Sequence, residues 1–397
     1  MTAATLIHSA RIPSGSDAEW VLLAEGAVAA RGRGEPPPAS PGIRVVNAGG
    51  RLLVPGFIDI HCHGGAGRSF DDGEAAIAEA VALHRRHGTT RTMVSLVSAT
   101  IDDLEERLRA ASRACDADPL LLGIHLEGPF LDPGHRGAHD AALLIRPSPE
   151  AVDRLVAAAG SHLSAVTLAP DLPGAAEALE RFRRHGVRVA LGHTGVDHDG
   201  AVAAFAAGAS ILTHAFNGMP GLHHREPGPV GAALGDPAVT IEVIADRVHV
   251  HDIVVRMLFA TAPGRVALIT DAMAGAGLND GVFRLGSTEV DVRDGVARIP
   301  ATGSLAGSTL TLDLAVRNAV AAGVALPDAV DAATVVPARA LGLEDRLGRL
   351  EPGFAADAVL LDEDLQVHSV WAAGEPVPGT PGPDLPPEPE PEEGEDG

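Results

Sequence analysis

The residues best suited to chemistry are histidines and carboxylates that close short apolar runs. Phe57-Ile58-Asp59-Ile60-His61-Cys62-His63 carries two imidazoles two residues apart. An extended chain repeats every two residues, so His61 and His63 project to one side and Cys62 to the other. Such a pair can chelate one metal ion, but a lone His-x-His is a weak signal, since two solvated histidines beside a turn look the same. Four other apolar runs change its weight by ending alike: Gly123-Ile124-His125-Leu126-Glu127, Leu191-Gly192-His193, Leu212-Thr213-His214 and Ile269-Thr270-Asp271. Imidazole and carboxylate together suit a divalent metal, zinc first, with iron, cobalt or manganese also admitted. One or two ions can be held. His61, His63 and Asp271 supply one sub-site, His193 and His214 the other, and Glu127 can give one oxygen to each. The chain contains no lysine, so a carboxylated lysine cannot take the bridging place.

The chemistry follows from the ligands. A bound metal acidifies water and polarises a carbonyl oxygen. Asp271, at the metal, can take the proton of the attacking water and pass it to a leaving amine. An amide nitrogen leaves poorly unless protonated, so the fitting reaction is hydrolysis of a C–N bond.

The elements that must position these residues are eight short apolar runs separated by helical stretches. The runs are 57–61, 92–97, 120–126, 164–168, 187–192, 210–213, 240–244 and 266–270. The helical spacing of Ala, Leu and Val falls at 74–87, 101–115, 150–159, 174–185 and 200–207. Strands apolar on both faces and separated by helices predict a parallel sheet, and eight such units an α/β fold of the (β/α)8 TIM-like barrel kind. Active sites of such barrels lie at the C-terminal ends of the strands, where the histidines and acids stand. Before the barrel, 5–12, 20–30 and 43–48 read as strands. After it, 357–361 and 367–372 do. Residues 1–52 and 348–377 are therefore assigned to one small β-sandwich built from both chain ends, around a barrel of 53–347. Asp294-Gly295 marks a hairpin inserted at 282–299.

Composition narrows the function class. The formal net charge of −23 excludes a nucleic-acid footprint and opposes an anionic membrane surface. No apolar run reaches spanning length. Two cysteines, Cys62 and Cys115, make no disulfide framework. The N-terminus has no charged start followed by an apolar run, so a cytoplasmic protein is expected. Residues 378–397 are rich in Pro and Glu and are expected to be disordered.

Several stretches together resemble the N-acetylglucosamine-6-phosphate deacetylases of the amidohydrolase superfamily. They are Pro55-Gly56-Phe57-Ile58-Asp59-Ile60-His61-Cys62-His63-Gly64, His125-Leu126-Glu127-Gly128-Pro129-Phe130, Gly137-Ala138-His139, Gly192-His193-Thr194, Thr213-His214-Ala215-Phe216-Asn217, Arg225-Glu226-Pro227-Gly228 and Thr270-Asp271-Ala272. The resemblance runs from about residue 52 to 361. It implies hydrolysis of the 2-acetamido group of N-acetylglucosamine 6-phosphate to glucosamine 6-phosphate and acetate, in amino-sugar catabolism and cell-wall recycling. Some members lack the His-x-His pair and hold one metal; both histidines here allow two.

The resemblance also implies substrate contacts. His139 would touch the substrate and help polarise the carbonyl. Asn217 and Gly218 would bind near the sugar and its phosphate. Arg225 would reach the 6-phosphate from the neighbouring subunit of a homodimer, its fork suiting phosphate geometry. His249 would contact sugar or phosphate, and the loop from Leu305 to Ser308 would close the rim. One position departs from the pattern. Where the family has Ala-Asp-Gly-x-His, this chain has Ala245-Asp246-Arg247-Val248-His249. A glycine there serves either a positive φ or a close approach of backbone to a ligand, and in the second case Arg247 would crowd the pocket or add a phosphate contact. The competing readings are an amidohydrolase for another N-acylated sugar or a cyclic amide, and a dead relative serving as a binding protein. The filled ligand set argues against the second.

Overall fold

A computed structural model describes residues 4–13 and 19–380. The assigned tail at 378–397 lies almost wholly outside them. Eight parallel strands form the central sheet: β1 (Phe57–Asp59), β2 (Thr89–Val97), β3 (Leu121–Glu127), β4 (Leu163–Leu168), β5 (Arg188–Leu191), β6 (Ile211–Leu212), β7 (Thr240–Ile244) and β8 (Val266–Ile269). Each pairs with the next in chain order, from β1 to β8. The sequence places all eight, because the strands are buried on both faces and read as mainly apolar runs.

The seam between β1 and β8 is closed by backbone and side-chain hydrogen bonds together. Thr270 Oγ1 donates to Asp59 Oδ2 at 2.6 Å, and the Asp271 N–H donates to the His61 carbonyl at 2.9 Å. Asp59 is fully buried there. Burial raises its carboxyl pKa, against the lowering effect of the Thr270 hydrogen bond.

Helices Glu74–Arg86, Ile101–Ala117, Pro149–Ala159, Ala175–Arg184 and His198–Ala206 cover the sheet close to the anticipated ranges. Thr100, Ser148 and Asp197 start three of them with side-chain caps.

The two chain ends build the second layer structure. One four-stranded sheet runs Ala27–Arg33, Glu19–Ala24, Thr5–Ala10, Arg44–Asn47. The other runs Glu375–Pro376, Val367–Ala372, Ala358–Leu361, Leu52–Pro55. Ile7, Val21, Leu23 and Val46 from the first share a buried core with Leu53, Leu360 and Trp371 from the second.

Three details differ from the sequence reading. The run 20–30 is two strands, because Glu25 and Gly26 turn the chain with φ of 52° and 76°. Leu52–Pro55 pairs with Ala358–Leu361, so the small sandwich extends past residue 52 and the barrel begins after Gly56. The insertion at 282–299 is a three-stranded sheet rather than a hairpin, with strands Gly281–Leu285, Thr288–Arg293 and Val296–Arg298.

Candidate active site

Beyond the C-terminal strand ends, six of the anticipated side chains converge on one carboxylate. Glu127 Oε1 lies 3.0 Å from His193 Nε2, 3.1 Å from His214 Nε2 and 3.5 Å from His61 Nε2. Its Oε2 lies 3.1 Å from His63 Nε2 and 3.3 Å from His139 Nε2. Asp271 Oδ1 completes the group at 3.3 Å from His63 and 3.6 Å from His61. All seven residues are buried.

The turns that present them are unusual. His193, His214, Phe216 and Asp271 have φ of 49°, 24°, 76° and 48°. Side chains seldom adopt this left-handed region, and such strain gathers at sites whose surroundings over-determine it.

The imidazoles are oriented from behind. The Nδ1 atoms of His61, His63 and His193 face Glu242 Oε2 at 3.1 Å, the Ser95 carbonyl at 3.2 Å and the His135 carbonyl at 2.9 Å. Each of these partners only accepts, so each Nδ1 carries a hydrogen and each ring turns its Nε2 to the centre, a lone pair once any proton there is displaced. His61 Nε2 and His63 Nε2 are then 3.1 Å apart, and His193 Nε2 and His214 Nε2 also 3.1 Å apart. Lone pairs so close repel unless a proton or a cation lies between them. Two ligands at about 2.0–2.1 Å from one tetrahedral ion stand roughly 3.3 Å apart, the range seen here. The residues fit a divalent metal. Two overlapping groups can hold one: His61, His63 and Glu127, and Glu127, His139 and His193.

Charge follows the same pattern. Burial depresses His63, but hydrogen bonds to Asp271 and Glu127 outweigh it and hold the ring up at about 10. Burial likewise opposes and the charge of Glu127 overcomes it at His61, which stands well above the usual range. Burial would raise Asp271, yet its bond to His63 and the charge of His61 bring it to about 2. Protons on the two rings thus stand where a metal cation would bind, and a metal displaces them. His139 differs, because burial pulls it below the ordinary value despite Glu127 and leaves it neutral.

A cavity of about 290 Å³ opens over the cluster. His63, Glu127, His193, His214 and Asp271 form its floor, and Asn217, Gly218, His249 and Leu305 line its walls. The loop carrying Leu305 is pinned to the Asp271 turn, since Ser308 N donates to the Asp271 carbonyl at 2.7 Å and Ser308 Oγ to the Thr270 carbonyl at 2.6 Å. His249 is held by Asp246, with Nδ1 2.6 Å from Oδ2.

Arg225 is not brought to this cavity. It lines a separate cleft with Asp197, His198 and Glu226, and its Nη1 lies 2.8 Å from His224 Nε2. Arg247 does not line the cavity either, so it does not crowd the pocket of its own subunit. It adopts φ 66° and turns outward, its Nε 3.5 Å from Asp252 Oδ2. A glycine suits this position because of the backbone, not because of the pocket.

The chain matches the Amidohydrolase family over residues 52–377. It belongs to that family, among the N-acetylglucosamine-6-phosphate deacetylases. An N-acetylgalactosamine-6-phosphate deacetylase of Escherichia coli O157:H7 is 39% identical over 364 residues, 90% of this chain and 94% of that protein. The human N-acetylglucosamine-6-phosphate deacetylase is 36% identical over 344 residues, covering 83% and 84%. Among solved structures, an aspartate-to-alanine variant of the Mycobacterium smegmatis N-acetyl-D-glucosamine-6-phosphate deacetylase, in complex with N-acetyl-D-glucosamine-6-phosphate, superposes with a TM-score of 0.89. It is 41% identical, and the match covers 95% of this chain and 99% of that one.

Membership in this deacetylase family makes the chain a metal-dependent hydrolase of amide bonds. Its deacetylase site contains two residues the sequence reading passed over. Glu242 is acidic inside an otherwise apolar strand, which is the signal that could have found it. His125 was noted only as part of its strand. It is buried between Ser95 and Thr167, and burial with the nearby His61 drives it well below the usual value. Cys62 does face the helix Glu74–Arg86, with Sγ 3.4 Å from His84 Nε2, and burial pushes its thiol up to about 12.

Proposed function

We propose that this chain hydrolyses the acetamido group of N-acetylglucosamine 6-phosphate, giving glucosamine 6-phosphate and acetate. The observation that carries this reading is the placement of Asp271 on the floor of the cavity, beside five histidines and Glu127 and below Asn217 and His249. His61, His63, Glu127, His193, His214 and Asp271 would hold a divalent ion, one or two per subunit and zinc first, which would supply an acidified water and a polarised carbonyl. Asp271, ionised, accepts the proton of the attacking water and returns it to the amine nitrogen as the C–N bond breaks. His139, a neutral imidazole, donates a hydrogen bond to the acetyl oxygen as charge builds there. Asn217, Gly218, His249 and Leu305 orient the sugar.

The cavity floor is built of histidines and carboxylates, and among the described residues no arginine lines it. Arg225 therefore acts on the 6-phosphate only across an interface, which a homodimer provides. No helix of the described residues is long and apolar enough to cross a membrane. Phosphorylated sugars do not diffuse across bilayers, so the enzyme of amino-sugar catabolism and cell-wall recycling works where they are made, in the cytoplasm.

The identity to the Escherichia coli enzyme for N-acetylgalactosamine 6-phosphate favours a second reading, in which the 4-epimer is the better substrate. Steady-state kinetics on the two epimers and on unphosphorylated N-acetylglucosamine test both. The first reading requires the largest kcat/KM for N-acetylglucosamine 6-phosphate and a large loss without the phosphate. A larger kcat/KM for the galactose epimer establishes the second.

A further inference from the structure

Glu242 sits in the middle of β7, in Thr240-Ile241-Glu242-Val243-Ile244, with all five residues buried. The residue is 3% exposed and, among the described residues, no arginine pairs with its carboxylate. A buried carboxylate without a fixed cation is expensive unless something nearby carries positive charge. The partners it has belong to both halves of the histidine cluster. Its Oε2 accepts from His61 Nδ1 at 3.1 Å and from the backbone N–H of His214 at 3.2 Å. Its own carbonyl accepts from the Ala215 N–H at 2.8 Å.

These contacts stand in for a missing ladder. β6 is two residues long and pairs with β7 only through Ile211 and Leu212. The segment that follows turns sharply, with positive φ at His214 and Phe216. Glu242 holds this segment at two consecutive N–H groups while fixing the ring of His61 from strand β1.

We infer that Glu242 is a positioning residue that sets both metal sub-sites at once, orienting the His61 ring on one side and the His214 turn on the other. A hydrogen bond from a ligating imidazole to a carboxylate makes the ring a stronger donor and fixes its tautomer. One oxygen serving both sides couples them. Charge drawn toward an ion at His61 alters what the same oxygen offers to His214. The inference rests on the metal reading of the site.

The test is a zinc titration of chelator-stripped protein against a chromophoric competitor, on wild type, Glu242→Gln, His61→Ala and the double variant. Glu242→Gln should weaken zinc binding about 10- to 100-fold, the range for loss of such a partner. The double variant should bind zinc more tightly than the product of the two single losses predicts, because the two residues act together. Zinc bound equally by wild type and Glu242→Gln, or losses that simply multiply, overturns the role of Glu242 alone. A fall in the melting temperature of stripped Glu242→Gln without a change in zinc affinity does the same, since it marks a purely structural residue. Wild type that binds no zinc overturns the metal reading itself. Should Glu242→Gln fail to fold, Glu242→Asp, which keeps the charge but withdraws the oxygen, replaces it in the same cycle with the same outcomes.

Discussion

His63 Nε2 on the far side of β1 lies 3.3 Å from Asp271 Oδ1 beyond β8. The first and last strands of the barrel thus meet at the reacting centre, and the seam that closes the fold also assembles the site. Thr270, just past β8 and one residue before Asp271, donates to Asp59. The position of Asp271 therefore rests on the seam between the first and last strands.

Replacing Asp271 by Asn keeps its size and removes its capacity to accept a proton. Loss of a general acid–base group costs about 10²- to 10⁴-fold in rate. Asp271→Asn should lower kcat by that amount with little change in KM, and metal analysis should still find an ion on the remaining ligands. Unchanged kcat contradicts the assignment.

Arg225 lies in a cleft of its own subunit away from the catalytic cavity. If it serves the phosphate of a neighbouring subunit's substrate, Arg225→Ala should raise KM for the phosphorylated sugar by roughly 10- to 100-fold, the worth of a charge-assisted contact. Metal content should not change. Mixing Arg225→Ala with Asp271→Asn subunits should restore activity in hybrids, because an intact metal site can then receive an intact arginine. Kinetics of the reassociated mixture measure this. No recovery in verified hybrids argues that Arg225 does not act across an interface.

Away from the site, Asp313 is held by Arg317 at 2.9 Å and His87 at 3.3 Å. Burial alone would raise its pKa, but the hydrogen bond and charge of His87, with Arg317, bring it to about 2. An unfolded Asp titrates near 3.9. The folded state therefore binds the proton less readily, so the pair stabilises the fold above about pH 4 and the effect is lost as pH falls through about 2. The lowering corresponds to roughly 2 kcal/mol at neutral pH. Asp313→Asn should be less stable than wild type by about this much at pH 7, and the gap should close as pH approaches 2. Denaturant unfolding at several pH values checks it, and a gap that is constant with pH contradicts it.

Much of this could be read from residue types alone, for identifiable reasons. Strands buried on both faces leave a plain apolar run, so β1 to β8 stand out. A ligand at the end of such a run breaks the pattern abruptly, which is why His61, His63, Glu127, His193, His214 and Asp271 could be named together. What stayed hidden depends on contacts distant in sequence. Glu242 is defined by its bonds to His61 and His214, which only the folded sheet brings near. The turn at Glu25 and Gly26 lacked a strong turn signal, so two strands read as one. At Arg247 a missing glycine looks the same whether a positive φ or a nearby ligand required it, and only the fold, with φ of 66°, points to the first.

The central claim is metal-dependent release of acetate from a phosphorylated amino sugar. The most direct measurement follows acetate and free amine from N-acetylglucosamine 6-phosphate with protein of known metal content. The account predicts one acetate for each glucosamine 6-phosphate formed, activity lost when a chelator strips the metal, and activity restored by adding a divalent ion. Fully metal-loaded protein that leaves this substrate intact while cleaving a cyclic amide or an unphosphorylated N-acyl sugar would contradict it.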